Sequence, residues 1–210
     1  ADTSQLSTIA AAIHWASGTQ PTIPETTLTD VDNPPIPQSP SPPADIISLS
    51  YTAGGIDTPI NPVPEAMDAA VESGTVFVTS AGNGADRNNL VETTPIKSKT
   101  NIITVGATNK NNQRARFSQV GDPPGKYKPD VVAPGTEIPS AGPTTRIPRV
   151  PGQYNGTEIG GTSQATPHVT GIAALYYQMY ERVHGEDPTP EQVRSAIIAG
   201  TTQPDFTAPN

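Results

Sequence analysis

Four short apolar runs, at residues 46–50, 75–79, 101–105 and 131–132, are separated by stretches of helical periodicity, and this alternation constrains the chain more than any other feature. Strand, helix, strand and then a long helix is the order of an α/β fold with a mostly parallel sheet. The runs are continuous rather than alternating, Val76-Phe77-Val78 being the clearest, so both faces of the sheet should be covered. A sheet of three or four strands is small for that architecture. It is therefore expected to be incomplete, with further strands supplied from elsewhere.

The helical stretches can be placed from spacing and end signals. A helix over 64–73 sets Val63, Met67, Ala70 and Val71 on one side, with Gly74 as its stop. The longest helix is predicted over 163–183, where Ala165, Val169, Ile172, Ala173, Tyr176, Met179, Tyr180 and Val183 keep steps of three and four. A last helix starts at Thr189, with Pro190 in its first turn and Gln192 as the capping-box partner. A short helix over 9–16 ends near Gly18. Residues 21–44 are dense in proline and lack apolar periodicity. Proline has no N–H to donate and biases its predecessor towards extended geometry, so this stretch reads as an exposed inserted loop.

Composition excludes several functions. The 210 residues fit one domain over 1–210 better than two. A formal net charge of −8 argues against a phosphate-binding surface, so no nucleic-acid partner is expected. No run of about 18 apolar residues is present, so no membrane-spanning helix is expected. Cysteine is absent, which removes disulfides, thiol catalysis and cysteine-ligated zinc.

The strongest chemical signal is the run Gly160-Gly161-Thr162-Ser163-Gln164-Ala165-Thr166-Pro167-His168-Val169. Two glycines permit close backbone approach just before a helix. Ser163 then stands at the helix amino terminus, among unpaired N–H groups and the positive dipole end. An acyl-transfer nucleophile gains there, because negative charge develops on the substrate oxygen beside it. Taken alone, Gly-Thr-Ser is also an ordinary helix cap. The second signal is Ser80-Ala81-Gly82-Asn83-Gly84 after a strand, where a side-chain amide can donate to an oxyanion or simply form a turn.

The whole ten-residue run resembles the nucleophile motif of the subtilisin family, with Gln164 in place of the usual Met. The run from Val76 to Asn83 resembles the family's oxyanion strand and turn. Asp45-Ile46-Ile47-Ser48-Leu49-Ser50 resembles the strand leading to the substrate-binding edge, Ile103-Thr104-Val105-Gly106-Ala107 the next strand, and Pro129-Asp130-Val131-Val132-Ala133-Pro134-Gly135 a further signature. The resemblance implies a subtilisin-like three-layer sandwich, with Ser163 as nucleophile and Asn83 in the oxyanion hole. It implies substrate contacts at Ser50, Tyr51, Thr52, Ser80, Ala81 and Gly82, and a structural role for Pro167 and His168. It places a cis proline near Thr94-Pro95, and brings Asp2 to Ser4 towards the other substrate-binding edge.

Subtilisins order their triad Asp, His, Ser. No Asp-x-Gly-type strand motif and no His-Gly-Thr-His motif occurs here, and His14, His168 and His184 read as surface or capping residues rather than bases. The chain is therefore expected to be the carboxy-terminal part of a serine endopeptidase. Its expected partners are an amino-terminal chain of the same protease, carrying Asp and His, and a polypeptide substrate. Alone it should be nearly inactive, because a serine hydroxyl needs a base to take its proton. The alternative is a non-catalytic subtilisin-like scaffold that binds peptide or protein. No cofactor is expected and no metal ligand is assigned. The resemblance allows calcium, but Asp57, Asp122 and Asp130 form no loop of calcium-ligand spacing. Asn155-Gly156-Thr157 is a glycosylation sequon, which fits an extracellular peptidase.

Overall fold

The computed structural model describes residues 3–19, 42–51, 61–84, 101–121, 128–141 and 156–202. In chain order the elements are α1 (Thr3–Ser17), β1 (Ile46–Leu49), α2 (Val63–Glu72), β2 (Val76–Ser80), β3 (Ile103–Thr108), β4 (Val131–Pro134), β5 (Ile138–Ala141), β6 (Gly156–Ile159), α3 (Thr162–His184) and α4 (Pro190–Ala199). The first four strands form one sheet in the order β1-β2-β3-β4, every pair parallel, as the continuous apolar runs require. Strands β5 and β6 form an antiparallel pair with Ile138 opposite Ile159.

The sheet is covered on both faces, and the alternation of side chains decides what meets what. Val76, Val78, Ile103, Val105 and Ala107 point towards α3 and α4, where Ala165, Val169, Ala173, Val193 and Ile197 meet them. Phe77 and Ile102 point the other way, into a second cluster with Leu6, Ala10 and Ile13 of α1 and Val63, Ala66, Met67 and Ala70 of α2. This gives three layers, helix on sheet on helix. Phe77 is wholly buried, a burial that contributes about 2–3 kcal/mol.

Several expectations are corrected. Helix α1 starts at Thr3, two turns earlier than its Ser- and Thr-rich opening suggests. The burial of Leu6 against α2 outweighs weak local propensity. Thr3 and Ser4 thus form the first helical turn, and Asp2 lies outside the described residues. His14 is buried, not a surface residue, and its Nδ1 lies 2.8 Å from Thr19 Oγ1. On α3 the predicted apolar side is covered only in part: Ala165, Val169 and Ala173 are buried and Tyr176 packs partly on the core. Ile172, Met179 and Val183 are exposed, and so is Leu175 at 71%. The β5–β6 pair was not foreseen, because Pro139 and the shortness of both runs obscure it. Helix α2 ends as expected, with Gly74 at φ +102°. Helix α4 carries the full capping box, Gln192 N donating to Thr189 Oγ1 and Thr189 N to Gln192 Oε1.

A buried ion cluster ties β4 to α4. Asp130 accepts from Lys128 Nζ and from Arg194 Nη2, each at 2.6 Å, and from Thr104 N at 2.7 Å. This engages the one candidate metal-ligand carboxylate that lies among the described residues; Asp57 and Asp122 fall outside them. The cis proline expected at Thr94-Pro95 also lies outside the described residues. The Lys128–Pro129 peptide is cis.

Candidate active site

The site forms where the carboxyl ends of β1 and β2 meet the amino terminus of α3. Strand β6 leads the chain into Gly160 and Gly161, and Gly161 N donates to Gly135 O at 2.8 Å, which fixes the entry into the helix. Glycine is needed at 161 for space. A Cβ there would lie 2.6 Å from Gln164 Oε1 and 3.3 Å from Asn83 Nδ2.

Ser163 stands in the first turn of α3, where its backbone N–H has no carbonyl of the helix to bond. Its hydroxyl donates to Ser50 O at 2.9 Å, and Ser50 Oγ donates back to Ser163 O at 3.0 Å. The second bond depends on Pro167. In a regular helix the N–H of residue 167 would take the carbonyl of residue 163, and proline has none, so that carbonyl is left for Ser50. His168 Nδ1 lies 2.8 Å from Gln164 O, which agrees with a structural role.

Asn83 follows β2 directly. Its Oδ1 accepts twice from Thr162, from N at 2.8 Å and from Oγ1 at 2.9 Å. Thr162 Oγ1 in turn accepts from Gly82 N at 3.1 Å. With the carbonyl end of the amide held, Nδ2 faces away from Thr162. A single point, the Cβ position of Gly161, has Asn83 Nδ2 and Ser163 N within 3.6 Å. Two N–H donors beside a hydroxyl can stabilise an oxygen that gains charge as the hydroxyl attacks its carbon. Thr162, wholly buried, sets this orientation, and sequence reading gave it no role; its place between Gly161 and Ser163 was the available signal.

The other expected site residues are placed as follows. Ser50 is exposed at the end of β1, next to Ser163. Tyr51 packs partly into the α1–α2 cluster. Thr52 lies outside the described residues. Ser80 and Ala81 have no exposed surface and Gly82 is buried, so they form the support beneath Asn83. None of the three histidines reaches Ser163. His14 bonds Thr19, His168 bonds within α3, and the ring of His184 stacks on Tyr180 at 4.1 Å. Among the described residues no three His, Asp or Glu side chains gather to hold a metal, and no helix is long and apolar enough to cross a membrane.

The chain matches the profile of the subtilase family over residues 3–208. It is 37% identical over 153 residues to an extracellular serine proteinase of a Thermus species, across 73% of this chain and 32% of that protein. It is 40% identical over 132 residues to subtilisin NAT of Bacillus subtilis subsp. natto, across 62% and 30%. The solved structure of a cold-adapted subtilisin-like serine proteinase superposes with a TM-score of 0.52 at 28% identity, covering 70% of this chain and 46% of that one. The chain thus spans about a third of the length of these curated relatives.

Proposed function

This chain belongs to the subtilase family, and on that premise we propose that it is the nucleophile-bearing part of a serine endopeptidase that hydrolyses peptide bonds. The observation that carries the reading is the pairing of Ser163 with Asn83. The hydroxyl, its own backbone N–H and a fixed amide with an outward Nδ2 stand together at a helix amino terminus.

In the proposed reaction Ser163 Oγ bonds to the scissile carbonyl carbon and its proton passes to a base. The carbonyl π pair moves onto the oxygen, where Asn83 Nδ2 and Ser163 N receive it. Collapse of this intermediate breaks the C–N bond, and the base returns the proton to the departing amine. Water then releases the acyl group by the same steps. Ser50 and its neighbour Tyr51 form the edge along which substrate main chain lies. The Ser50 carbonyl that holds the Ser163 hydroxyl at rest must be given up when substrate arrives.

The base comes from an amino-terminal portion of the same protease, which also supplies the catalytic Asp. Two features favour such a partner besides the distance of all three histidines from Ser163. Strand β1 is an edge of the parallel sheet, with its outer hydrogen-bonding groups ready to pair. Ile172, Leu175, Met179 and Val183 form an exposed apolar stripe on α3 at steps of three and four, well suited to burial under added structure. The partner strand would pair with β1 while its neighbours cover this stripe. Secretion is proposed from the extracellular naming of a relative.

One specific feature favours a second reading, a non-catalytic peptide-binding scaffold: Ser163 is tied to Ser50, with no base hydrogen-bonded to it among the described residues. A fluorophosphonate probe separates the two. Labelling of the intact protein, read by mass and lost in Ser163→Ala, supports the peptidase. A folded protein that resists labelling in the presence of the amino-terminal portion refutes it.

A further inference from the structure

Three polar groups, not two, gather beside the turn that leads into Ser163. Around the Cβ position of Gly161 lie Gln164 Oε1 at 2.6 Å, Asn83 Nδ2 at 3.3 Å and Ser163 N at 3.6 Å. The Gln164 side chain is half-buried and folds back over the turn that carries the nucleophile. It forms no hydrogen bond among the described residues, and Asn83 Nδ2 forms none either.

We propose that Gln164 is a third catalytic residue of the site, a switchable amide that faces the two donors with its carbonyl oxygen at rest and turns to give an N–H to the oxyanion. The chemistry requires the turn. The resting orientation places an acceptor oxygen 2.6 Å from the Gly161 Cβ position, near the two N–H donors but bonded to neither. An anionic oxygen arriving there would meet that acceptor oxygen and be repelled. Rotation about the last torsion of a glutamine is soft and roughly two-fold, so exchanging Oε1 for Nε2 needs no backbone movement. The exchange converts one repulsion into one charge-assisted hydrogen bond. The role holds only within the peptidase reading, since it concerns the oxygen that reading creates.

Two substitutions test it in the assembled enzyme with the amino-terminal portion present, by kcat and KM on a peptide amide. Gln164→Leu removes both orientations, and kcat should fall about 10-fold with KM within about 2-fold, the effect of one charge-assisted hydrogen bond partly open to solvent. Gln164→Glu keeps the size but supplies only an acceptor, and kcat should fall further, about 100-fold at neutral pH. A carboxylate in the first turn of a helix favours folding, so that loss is not unfolding. A side chain that merely packs there would leave kcat of the Leu variant near wild type, while Glu would still lower it by charge repulsion alone. Glu equal to or milder than Leu, or a Leu variant with unchanged kcat, overturns the proposal. A wild-type enzyme that neither labels with fluorophosphonate nor cleaves peptide sinks the peptidase reading, and the Gln164 role with it. A wild type that labels, with the wrong order of variants, sinks the Gln164 role alone.

Discussion

Replacing Asp130 with Asn should destabilise this protein more than any other change of one atom type. Asp130 is 1% exposed at its side chain and Lys128 2%, and their contact is 2.6 Å. The carboxylate also accepts from Thr104 N and from Arg194. In Asp130→Asn the shape is kept, but one oxygen becomes an NH₂ among donors and the negative charge is gone. The Lys128 ammonium then keeps Ile102 O, 2.8 Å away, but loses its buried counter-charge. Removing one partner of a buried pair costs about 3–5 kcal/mol, because the partner that stays loses the attraction that offset its desolvation. Arg194 adds little to that figure: its side chain is 23% exposed and reaches Glu191 at 3.8 Å. For a chain of this size about 4 kcal/mol lowers the melting temperature by about 10 °C. The assay is urea unfolding followed by circular dichroism, with Arg194→Met as control, which should cost about 1 kcal/mol or less. An Asp130→Asn variant within about 1 kcal/mol of wild type, or an Arg194→Met variant equally damaged, would refute the reasoning.

Four further outcomes are expected. Burial holds the His14 imidazole below its ordinary value of 6.5, so above that pH both folded and unfolded states are neutral and the residue is silent. As pH falls through 6.5 the unfolded chain binds a proton the folded chain refuses, and stability drops until the folded value is passed. His14→Gln should flatten the urea midpoint between pH 7.5 and 5.5, both about one unit from that value. Gly161→Ala should lower kcat about 10-fold or more at unchanged circular dichroism, because its Cβ would displace Gln164 and press on Asn83 Nδ2. Asn83→Ala should lower kcat about 10²–10³-fold with KM little changed, a magnitude carried over from subtilisin rather than worked from this geometry. Leu175→Glu should weaken association with the amino-terminal portion at least about 10-fold by sedimentation or titration, since Leu175 is 71% exposed and lies mid-stripe.

Much of this was legible in the residues because local chemistry and tertiary demand agree. Val76-Phe77-Val78 is apolar on both faces and is buried on both. Thr189, Pro190 and Gln192 announce a helix start that needs no tertiary help. Where the two diverge the sequence misleads. The Thr-Ser-Gln opening of α1 is a poor helix former, and it becomes helical because Leu6 finds a place against α2. The full apolar side of α3 reads as core, yet Ile172, Met179 and Val183 are exposed while Tyr176 packs partly on the core, because periodicity reports what a helix is suited to bury rather than what lies beside it. At the candidate site, motifs single out Ser163 and Asn83 as candidates. The bonds of Thr162 to Asn83 were not legible, because they span 79 positions and exist only once β2 and α3 are brought together.

Pro167 shows how a rule broken locally can serve the site. Proline inside a helix costs about 3 kcal/mol or more where it removes a bond and crowds the preceding turn. Here the carbonyl it leaves free is that of Ser163, and Ser50 Oγ takes it. One end of β1 is thereby locked to the first turn of α3 by two bonds in opposite directions, Ser50 to Ser163 and Ser163 to Ser50. In the proposed reaction only the second must break for Ser163 to attack. The first would persist and keep the proposed substrate edge in register with the Ser163 oxygen. A regular residue at 167 would restore the helical bond and compete with Ser50 for the same carbonyl. The helix would gain and the link between β1 and the first turn of α3 would loosen, so on the proposed reaction the irregularity serves the alignment of Ser163 with the substrate edge.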